Sequence, residues 1–202
     1  MVDKDIKGVI LTGSIGCGKT TVANLLRLNG YKVIDVDGIA KEALDIKKEE
    51  VLKLFGNEIA DEKGHISRAK LGILVFGDSE KRKALETLLH PYIYAQVDAQ
   101  CLKLEKFKVP YFIDLPLFFE SKHRYVYRFI ACVYAPKTLQ LQRVMTRDKL
   151  DENEALKRID SQLDIESKKA KSDFVIENTG SLKDLQANVE AFLQNLEIAF
   201  KS

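Results

Sequence analysis

The sequence of 202 residues contains no tryptophan, four prolines and three cysteines. The cysteines, Cys17, Cys101 and Cys132, form neither a C-x-x-C pair nor an even set, which argues against a zinc ribbon and against a disulfide scaffold. No segment approaches the roughly 18 apolar residues of a membrane span. The segment from Met1 to Gly8 lacks the cationic start and longer apolar stretch of a signal peptide. These absences predict a protein of the reducing cytoplasm.

An excess of charge of either sign is also missing. Thirty-two Lys and Arg residues oppose 30 Asp and Glu residues, for a net charge of +2. So balanced a chain is not expected to have nucleic acid or an anionic membrane as its main partner. Hydrophobic residues make up 46% of the chain and charged residues 31%, which is typical of an ordinary folded protein. Since no repeat or linker is present, we expect one domain over residues 1–202.

Short apolar runs alternate with stretches of helical periodicity along the chain. This alternation predicts an α/β fold in which a five-stranded parallel sheet has helices on both faces, joined by right-handed crossovers. The expected strands are 7–12, 31–36, 109–115, 128–134 and 173–176. In domain terms, the expected core comprises 1–37, 109–135 and 171–202.

Two long intervals interrupt this pattern. Residues 38–108 far exceed a crossover of roughly a dozen residues, so an inserted helical lobe is expected there. Its helices are predicted over 39–55, 67–76 and 79–106, with Ser67 as an N-cap and with Pro91 kinking or restarting the last helix. The polar helical stretch 136–170 is predicted to form a mobile lid.

An eight-residue motif lies between the first strand and the first helix. From Gly13 to Thr20 the sequence is GSIGCGKT, which matches G-x-x-x-x-G-K-[ST] at every fixed position. The glycines let the backbone curve so that successive amides and the helix N-terminus face phosphate oxygens. Lys19 is expected to reach the β- and γ-phosphates, and the Thr20 hydroxyl to hold Mg²⁺. The predicted ATP contacts in this region are Ile15, Gly16, Cys17, Gly18, Lys19, Thr20 and Thr21, with packing as an alternative role for Thr21.

A phosphate-binding motif does not by itself define the reaction. A GTPase switch would need an N-K-x-D tetrapeptide, which is absent from the sequence. The D-x-x-G-like run from Asp35 to Gly38 follows Lys19 too closely to leave room for a switch loop. A mechanical ATPase usually needs additional chain for its partner and sensor elements, and the sequence shows none.

Three aspartates are candidates for the chemistry. Asp35 and Asp37 follow the second strand, at the edge of an open α/β sheet where ligands bind. One of the two could face the phosphates and accept a hydroxyl proton from a phosphoryl acceptor. Capping of the following helix is the alternative role for both. Asp114 ends an apolar strand, as a Walker B carboxylate does, and is a candidate Mg²⁺ ligand.

Basic residues in the predicted lid are candidates for phosphate contact. Arg143 and Arg147 are four residues apart and share one helix face. There they could clamp a transferring phosphoryl group, although a solvated basic face is the alternative. Among the histidines, His90 precedes Pro91 in an apolar helical setting, which favours a structural role. His65 and His123 have no partner pattern that would indicate a metal site.

Several segments together are similar to one family. The run from Leu11 to Ala23, LTGSIGCGKTTVA, resembles LTGGIGSGKSTVA of the dephospho-CoA kinases. Further matches follow in order along nearly the whole chain. They are Val33-Ile34-Asp35-Val36-Asp37, Arg68, His90-Pro91, Pro116-Leu117-Phe118-Phe119-Glu120, Gln142-Arg143, Arg147, Arg158-Ile159, Gln162 and the run from Asp173 to Gly180.

This resemblance implies a fold and an activity. The fold is the P-loop nucleoside-monophosphate-kinase-like α/β/α type, with 38–108 as the CoA-binding lobe and 136–170 as the lid. The activity is transfer of the γ-phosphoryl group of ATP, with Mg²⁺, to the ribose 3′-hydroxyl of dephospho-CoA. The implied partners are these small molecules, with no obligatory protein partner. A kinase for another small hydroxyl acceptor and a non-catalytic nucleotide sensor remain alternatives.

The resemblance also suggests residue roles. Asp37 becomes the acceptor-side carboxylate and Arg147 a lid charge, while Arg68 and His90 become candidates for acceptor contact. Asn178, near the end of the last strand, is a candidate adenine contact.

The sequence departs from the family pattern at a few positions. Ser14 and Cys17 replace a usual Gly and Ser. The segment from Ile39 to Glu42 is similar to the family's IARE, but the Pro-Gly that commonly follows it is absent. Because Cys17 lies in a phosphate-binding loop at a helix N-terminus, we expect its pKa to be lowered and its thiol to be sensitive to oxidation.

Overall fold

The computed structural model describes residues 6–202. The chain divides into two compact units. The first joins the chain up to Ile34 with Cys101–Ser202, and the second is Asp35–Gln100. Residues 1–5, which form most of the segment assessed above for a signal peptide, lie outside the described part. Within residues 6–202, no helix combines the length and the apolar character that crossing a bilayer requires.

Five strands form the sheet of the first unit. They are β1 (Gly8–Gly13), β2 (Val33–Asp35), β3 (Tyr111–Asp114), β4 (Phe129–Tyr134) and β5 (Phe174–Glu177). Their order is β2-β3-β1-β4-β5. The central strand β1 pairs in parallel with both β3 and β4, and β4 pairs in parallel with β5. The predicted five-stranded parallel α/β sheet is thereby confirmed.

Helices occupy most of the remaining chain. In chain order the α-helices within residues 6–202 are α1 (Lys19–Leu28), α2 (Val36–Ile46), α3 (Lys48–Phe55), α4 (Arg68–Phe76), α5 (Ser79–Glu105), α6 (Lys137–Asp148), α7 (Glu152–Asp160), α8 (Ile165–Ala170) and α9 (Leu182–Lys201). A 3-10 turn at Asn57–Ile59 follows α3. The interval 136–170 thus contains three separate helices.

Apolar side chains on α1 and α9 pack with the central strands. Leu26 of α1, Phe112 of β3, and Phe192 and Leu196 of α9 are all buried in one cluster. The rings of Phe112 and Phe192 lie 6.0 Å apart between centroids. Burying a large apolar side chain stabilises the fold by about 1.5–3 kcal/mol, so this layer stabilises the sheet of the first unit.

Local signals in the second unit give mixed outcomes. Ser67 caps α4 as predicted, because its side chain accepts a hydrogen bond from the Lys70 amide. The helix expected over 39–55 is two helices, α2 and α3, which meet at Lys47. The last helix does not restart at Pro91, since α5 includes this proline within its 27 residues.

The expectation for the Cys17 thiol is wrong. Cys17 is fully buried in the core of the first unit. Burial raises the pKa of its thiol to about 11, and this effect outweighs the opposing hydrogen bond donated by the Lys19 backbone amide and the charge of Lys19. Burial likewise raises the pKa of the Cys132 thiol to about 12. A lowered pKa was expected from the location of Cys17 in the phosphate-binding motif. The backbone of Cys17 does form the loop, but its side chain is buried in the core.

We expect all three cysteines to react slowly with maleimide in the native protein. Cys17, Cys101 and Cys132 are buried and form no disulfide with one another, so modification requires opening of the structure. Labelling followed by mass spectrometry at pH 8 is expected to be at least about a hundredfold slower than in denaturant. The variant Cys17→Ser identifies the Cys17 signal. Rapid labelling of Cys17 that ATP blocks would contradict the buried thiol.

Candidate functional site

The phosphate-binding loop, residues 13–20, lies between β1 and α1 and depends on its glycines. Gly16 and Gly18 have φ angles of 80° and 88°, a left-handed region that disfavours side chains. A Cβ on Gly16 would lie 2.7 Å from the Gln140 carbonyl oxygen, and one on Gly18 would overlap the Asn178 side-chain amide. Backbone conformation and packing therefore both demand glycine at these two positions.

The start of α1 adds positive potential next to this loop. No side chain caps the helix at Gly18, and the first turn contains no acidic residue. The first amides of a helix have no partner within it and carry a partial positive charge. A helix N-terminus that follows a curved glycine loop is the arrangement that binds phosphate.

Lys19 and Asp114 form a direct ion pair across the end of the sheet. The Lys19 ammonium donates a hydrogen bond to Asp114 Oδ1. Their side chains are only 12% and 11% exposed. Asp114 ends β3, and β3 is paired in register with β1, so the parallel sheet brings together the two charges that sequence analysis had placed in separate motifs. The pair places a cation and a carboxylate beside the phosphate-binding loop.

The donor set near this ion pair fits a magnesium ion. Thr20 lies in the first turn of α1 and is exposed, and Asp114 supplies a carboxylate in the same unit. Hydroxyl and carboxylate oxygens are suitable ligands for Mg²⁺, which normally keeps several waters and binds substrate phosphates in place of an all-protein cage. Among the described residues, no group of three or more His, Cys, Asp and Glu side chains forms such a cage.

Arg143 and Asn178 donate hydrogen bonds to carbonyl groups of the loop. The Arg143 guanidinium donates to the Gly16 carbonyl at 3.3 Å and to the Asn178 carbonyl at 3.0 Å. The buried Asn178 side-chain amide donates to the Cys17 carbonyl at 2.8 Å. Neither set of contacts could be foreseen from sequence, because the residues are more than 120 positions apart from the loop. These two residues therefore shape the loop in this structure.

Arg147 is held by a neighbouring carboxylate. Its Nε and one terminal nitrogen donate to the two oxygens of Asp148, at 2.7 and 2.9 Å. Arg158 of α7 donates to Asp148 Oδ2 at 3.1 Å. Chiefly because of the hydrogen bond from Arg147, the pKa of the Asp148 carboxyl is lowered. The Arg147 side chain is 61% exposed, so the charge predicted for the lid is at the surface and close to a second arginine.

The segment after α7 also contacts the phosphate-binding loop. The Ile15 amide donates to Gln162 Oε1 at 2.9 Å, and the Ser14 hydroxyl donates to the Leu163 carbonyl at 3.4 Å. Sequence analysis assigned no role to Gln162, which entered only as one of the matches to the family pattern. A lone polar residue in a helical stretch gives no indication of a contact with a loop 147 positions away.

In the second unit, Asp35, the last residue of β2, and Asp37, two residues later, differ in their surroundings. Asp35 caps α2, because its side chain accepts a hydrogen bond from the Gly38 amide at 3.0 Å. Asp37 lies in the first turn of α2 and is exposed. The strand ends at Asp35 and α2 begins at Val36, so Asp37 lies on a helix and not on a continued strand. The capping role weighed for both residues is thus seen for Asp35.

The two candidates for acceptor contact are also in the second unit. Arg68 is exposed in the first turn of α4. His90 lies in α5 and is half-buried, with its Nδ1 2.9 Å from the Tyr94 hydroxyl oxygen and the two ring centroids 5.0 Å apart. Tyr92, on the same helix, donates through its hydroxyl to Glu42 of α2 at 3.4 Å.

Comparisons with known proteins show the family of this chain and support its fold. The family model for dephospho-CoA kinase matches residues 8–184. The dephospho-CoA kinase of Sulfurimonas denitrificans is 43% identical over 192 residues, which cover 95% of each chain. A solved structure from Thermus thermophilus has a TM-score of 0.79 and 38% identity, covering 94% of this chain and 97% of that one. The solved dephospho-CoA kinase of Campylobacter jejuni has a TM-score of 0.68 and 35% identity, with coverage of 94% and 97%. This chain belongs to the dephospho-CoA kinase family.

Proposed function

We propose that this chain transfers the γ-phosphoryl group of ATP to the ribose 3′-hydroxyl of dephospho-CoA, giving coenzyme A and ADP in the last step of coenzyme A synthesis. The observation that carries the proposal is the Lys19–Asp114 pair beside a glycine-rich phosphate-binding loop, in a chain that belongs to the dephospho-CoA kinase family. The three buried cysteine thiols are compatible with a reducing compartment, and we place the reaction in the cytoplasm.

The loop and the first turn of α1 bind the ATP phosphates in this proposal. Residues Ile15 to Thr21 surround the phosphate oxygens, chiefly through the backbone amides at the start of α1, because the Ile15 amide already donates to Gln162. The Lys19 ammonium moves from Asp114 toward the β- and γ-phosphates. Because the phosphoryl-transfer transition state spreads negative charge over the phosphoryl oxygens, fixed positive groups stabilise it. Asn178 and Arg143 keep the loop curved, and their proximity to it leaves both as candidates for nucleotide contact.

A bound Mg²⁺ would supply positive charge that offsets the negative charge of the ATP phosphates. Thr20 and Asp114 would hold it, through a hydroxyl oxygen and a carboxylate oxygen.

Asp37 is the acceptor-side carboxylate in this proposal. Its carboxylate takes the proton of the ribose 3′-hydroxyl as that oxygen attacks the γ-phosphorus. Asp35 is the weaker candidate, because its carboxylate is engaged at the start of α2. The exposed position of Asp37 in the first turn of the helix leaves its carboxylate available to a ligand. Arg68 and His90, within the expected lobe 38–108, contact the acceptor.

The segment 136–170 acts as the lid. Arg147, which is exposed and paired with Asp148, supplies positive charge to the transferring group when the lid closes. Closure also excludes water, which would otherwise compete with the sugar hydroxyl for the phosphoryl group.

The proposed reaction is tested by following ADP release with a coupled assay. Release is expected to require both MgATP and dephospho-CoA, and 3′-deoxy-dephospho-CoA is expected to give only background. Nucleoside monophosphates and sugar acids serve as competing acceptors. ADP release that is independent of dephospho-CoA, or a faster rate with another acceptor, would count against this function. Nucleotide binding without any turnover would instead indicate a sensor.

The variant Asp37→Ala is expected to lower kcat by at least about a hundredfold while ATP affinity is largely kept, because it removes the proton acceptor and no phosphate contact. Steady-state kinetics and ATP titration provide the measurements. Asp35→Ala is the matched control, since it lies two residues away and removes a helix cap that contributes about 1 kcal/mol of stability. Near-normal turnover in Asp37→Ala would remove this residue from the chemistry.

The variant Lys19→Ala is expected to lower turnover by at least about a hundredfold, since it removes the cation that reaches the phosphates. Thermal unfolding, monitored by circular dichroism, shows whether the variant is folded. Lys32→Ala, at an exposed position of the first unit, is the control for loss of a lysine charge. A folded Lys19→Ala protein with normal kinetics would disprove the assigned role.

A further inference from the structure

Lys168 of α8 is a charged residue without solvent contact. Its side chain is 0% exposed. The ammonium donates to Glu120 Oε1 at 2.9 Å and to the Pro116 carbonyl at 2.9 Å. The same Pro116 carbonyl accepts a hydrogen bond from the Thr12 hydroxyl at 3.2 Å. A buried ammonium is costly unless it is paired and hydrogen-bonded, so this residue fixes α8 to the segment that follows β3.

Glu120 extends the network toward the phosphate-binding loop. Its Oε1 also accepts a hydrogen bond from the Leu163 amide at 2.8 Å. The Leu163 carbonyl accepts from the Ser14 hydroxyl, and the adjacent Gln162 accepts from the Ile15 amide. A continuous series of contacts therefore runs from a buried ammonium, through a carboxylate and a short backbone segment, to two residues of the loop.

Stability alone is a weak explanation for such a pair. Replacing a buried ion pair by apolar residues of similar volume is often neutral or stabilising. The Glu120 side chain is also 26% exposed, so water screens part of its charge. The pair instead fixes the position of the backbone at Gln162 and Leu163. Lys168 holds the Glu120 carboxylate, and this carboxylate accepts the hydrogen bond from the Leu163 amide.

The curved loop requires such external support. Glycine residues can adopt many backbone conformations. Without support, ordering the loop when ligand binds would therefore cost conformational entropy. Contacts that hold the Ser14 and Ile15 end in place remove part of this cost before the nucleotide arrives. Arg143 and Asn178 hold the Gly16 and Cys17 carbonyls, which leaves the other end of the loop to Gln162 and Leu163.

We propose that Lys168, Glu120 and Gln162 are positioning residues for ATP binding. Lys168 and Glu120 fix the segment 162–163, and Gln162 in turn holds the Ile15 amide so that the loop is already curved when the nucleotide binds. The inference rests on the proposed function in that ATP is the nucleotide concerned. It adds three residues outside the G-x-x-x-x-G-K-[ST] motif to the set that determines affinity for ATP.

The test measures MgATP binding by isothermal titration calorimetry without any acceptor. Lys168→Met and Gln162→Leu are each expected to raise the Kd for ATP by about tenfold, the change expected when one positioning hydrogen bond is lost. Lys169→Met is the matched control, because Lys169 is the next residue of the same helix and forms a partly exposed pair with Glu177. Its Kd is expected to stay within about twofold of the unsubstituted protein.

A double variant separates positioning from a merely structural role. If Lys168 acts through Gln162, the double variant Lys168→Met/Gln162→Leu binds ATP no more weakly than the weaker-binding single variant. Lys168→Arg, which keeps the charge, is expected to restore most of the affinity. Independent structural damage would instead give additive losses, or a lower melting temperature with an unchanged Kd, and either result would overturn the proposal.

Two further outcomes are informative. Tighter ATP binding by Gln162→Leu would overturn the proposal, because it would mean that Gln162 competes with phosphate for the Ile15 amide. If Lys168→Met does not fold, Gln162→Leu decides alone, since Gln162 is half-buried and carries no charge. Because the titration contains no dephospho-CoA, its result is independent of the acceptor assay. Failure of the proposed reaction and failure of this inference are thus distinguishable.

Discussion

The candidate site depends on hydrogen bonds that hold the phosphate-binding loop in its curved conformation. Residues 13–20 are supported at several points: by the Asn178 amide under the Cys17 carbonyl, by Arg143 at the Gly16 carbonyl, and by Gln162 at the Ile15 amide. These contacts involve the Gly16 and Cys17 carbonyls and the Ile15 amide, and none of them involves an amide at the start of α1. The start of α1 therefore remains available to phosphate, and the Lys19 ammonium lies close by with Asp114 as its partner.

The two compact units contain different parts of the proposed chemistry. The unit built on the parallel sheet holds the phosphate-binding loop, the Lys19–Asp114 pair, Arg143 and Arg147. The unit Asp35–Gln100 holds Asp37, Arg68 and His90, the candidates for the acceptor side. In the proposed reaction, donor groups and acceptor groups would thus be carried by separately packed regions. On that proposal, a phosphoryl acceptor other than dephospho-CoA would call for changes in the second unit, while the ATP-binding unit could stay the same.

The sequence predicted what is local and periodic. The five strands were found to within a few residues, because buried parallel strands are short apolar runs. The phosphate-binding loop was found because its motif is contiguous. By contrast, the Cys17 pKa was predicted in the wrong direction, since motif position indicates the path of the backbone and not the direction of a side chain. The support from Asn178, Gln162 and Lys168 was missed, because these contacts join positions that only the folded sheet brings together.

The close fit between Gly18 and Asn178 also constrains how this enzyme can change. Any side chain at position 18 would need a smaller residue at position 178, and that exchange would remove the amide that holds the Cys17 carbonyl. A smaller residue at position 178 would by itself leave the Cys17 carbonyl without the Asn178 amide, and a side chain at position 18 would still have to adopt the left-handed backbone conformation. Each change therefore carries a cost at the loop, and functional divergence in this chain is easier through residues farther from it.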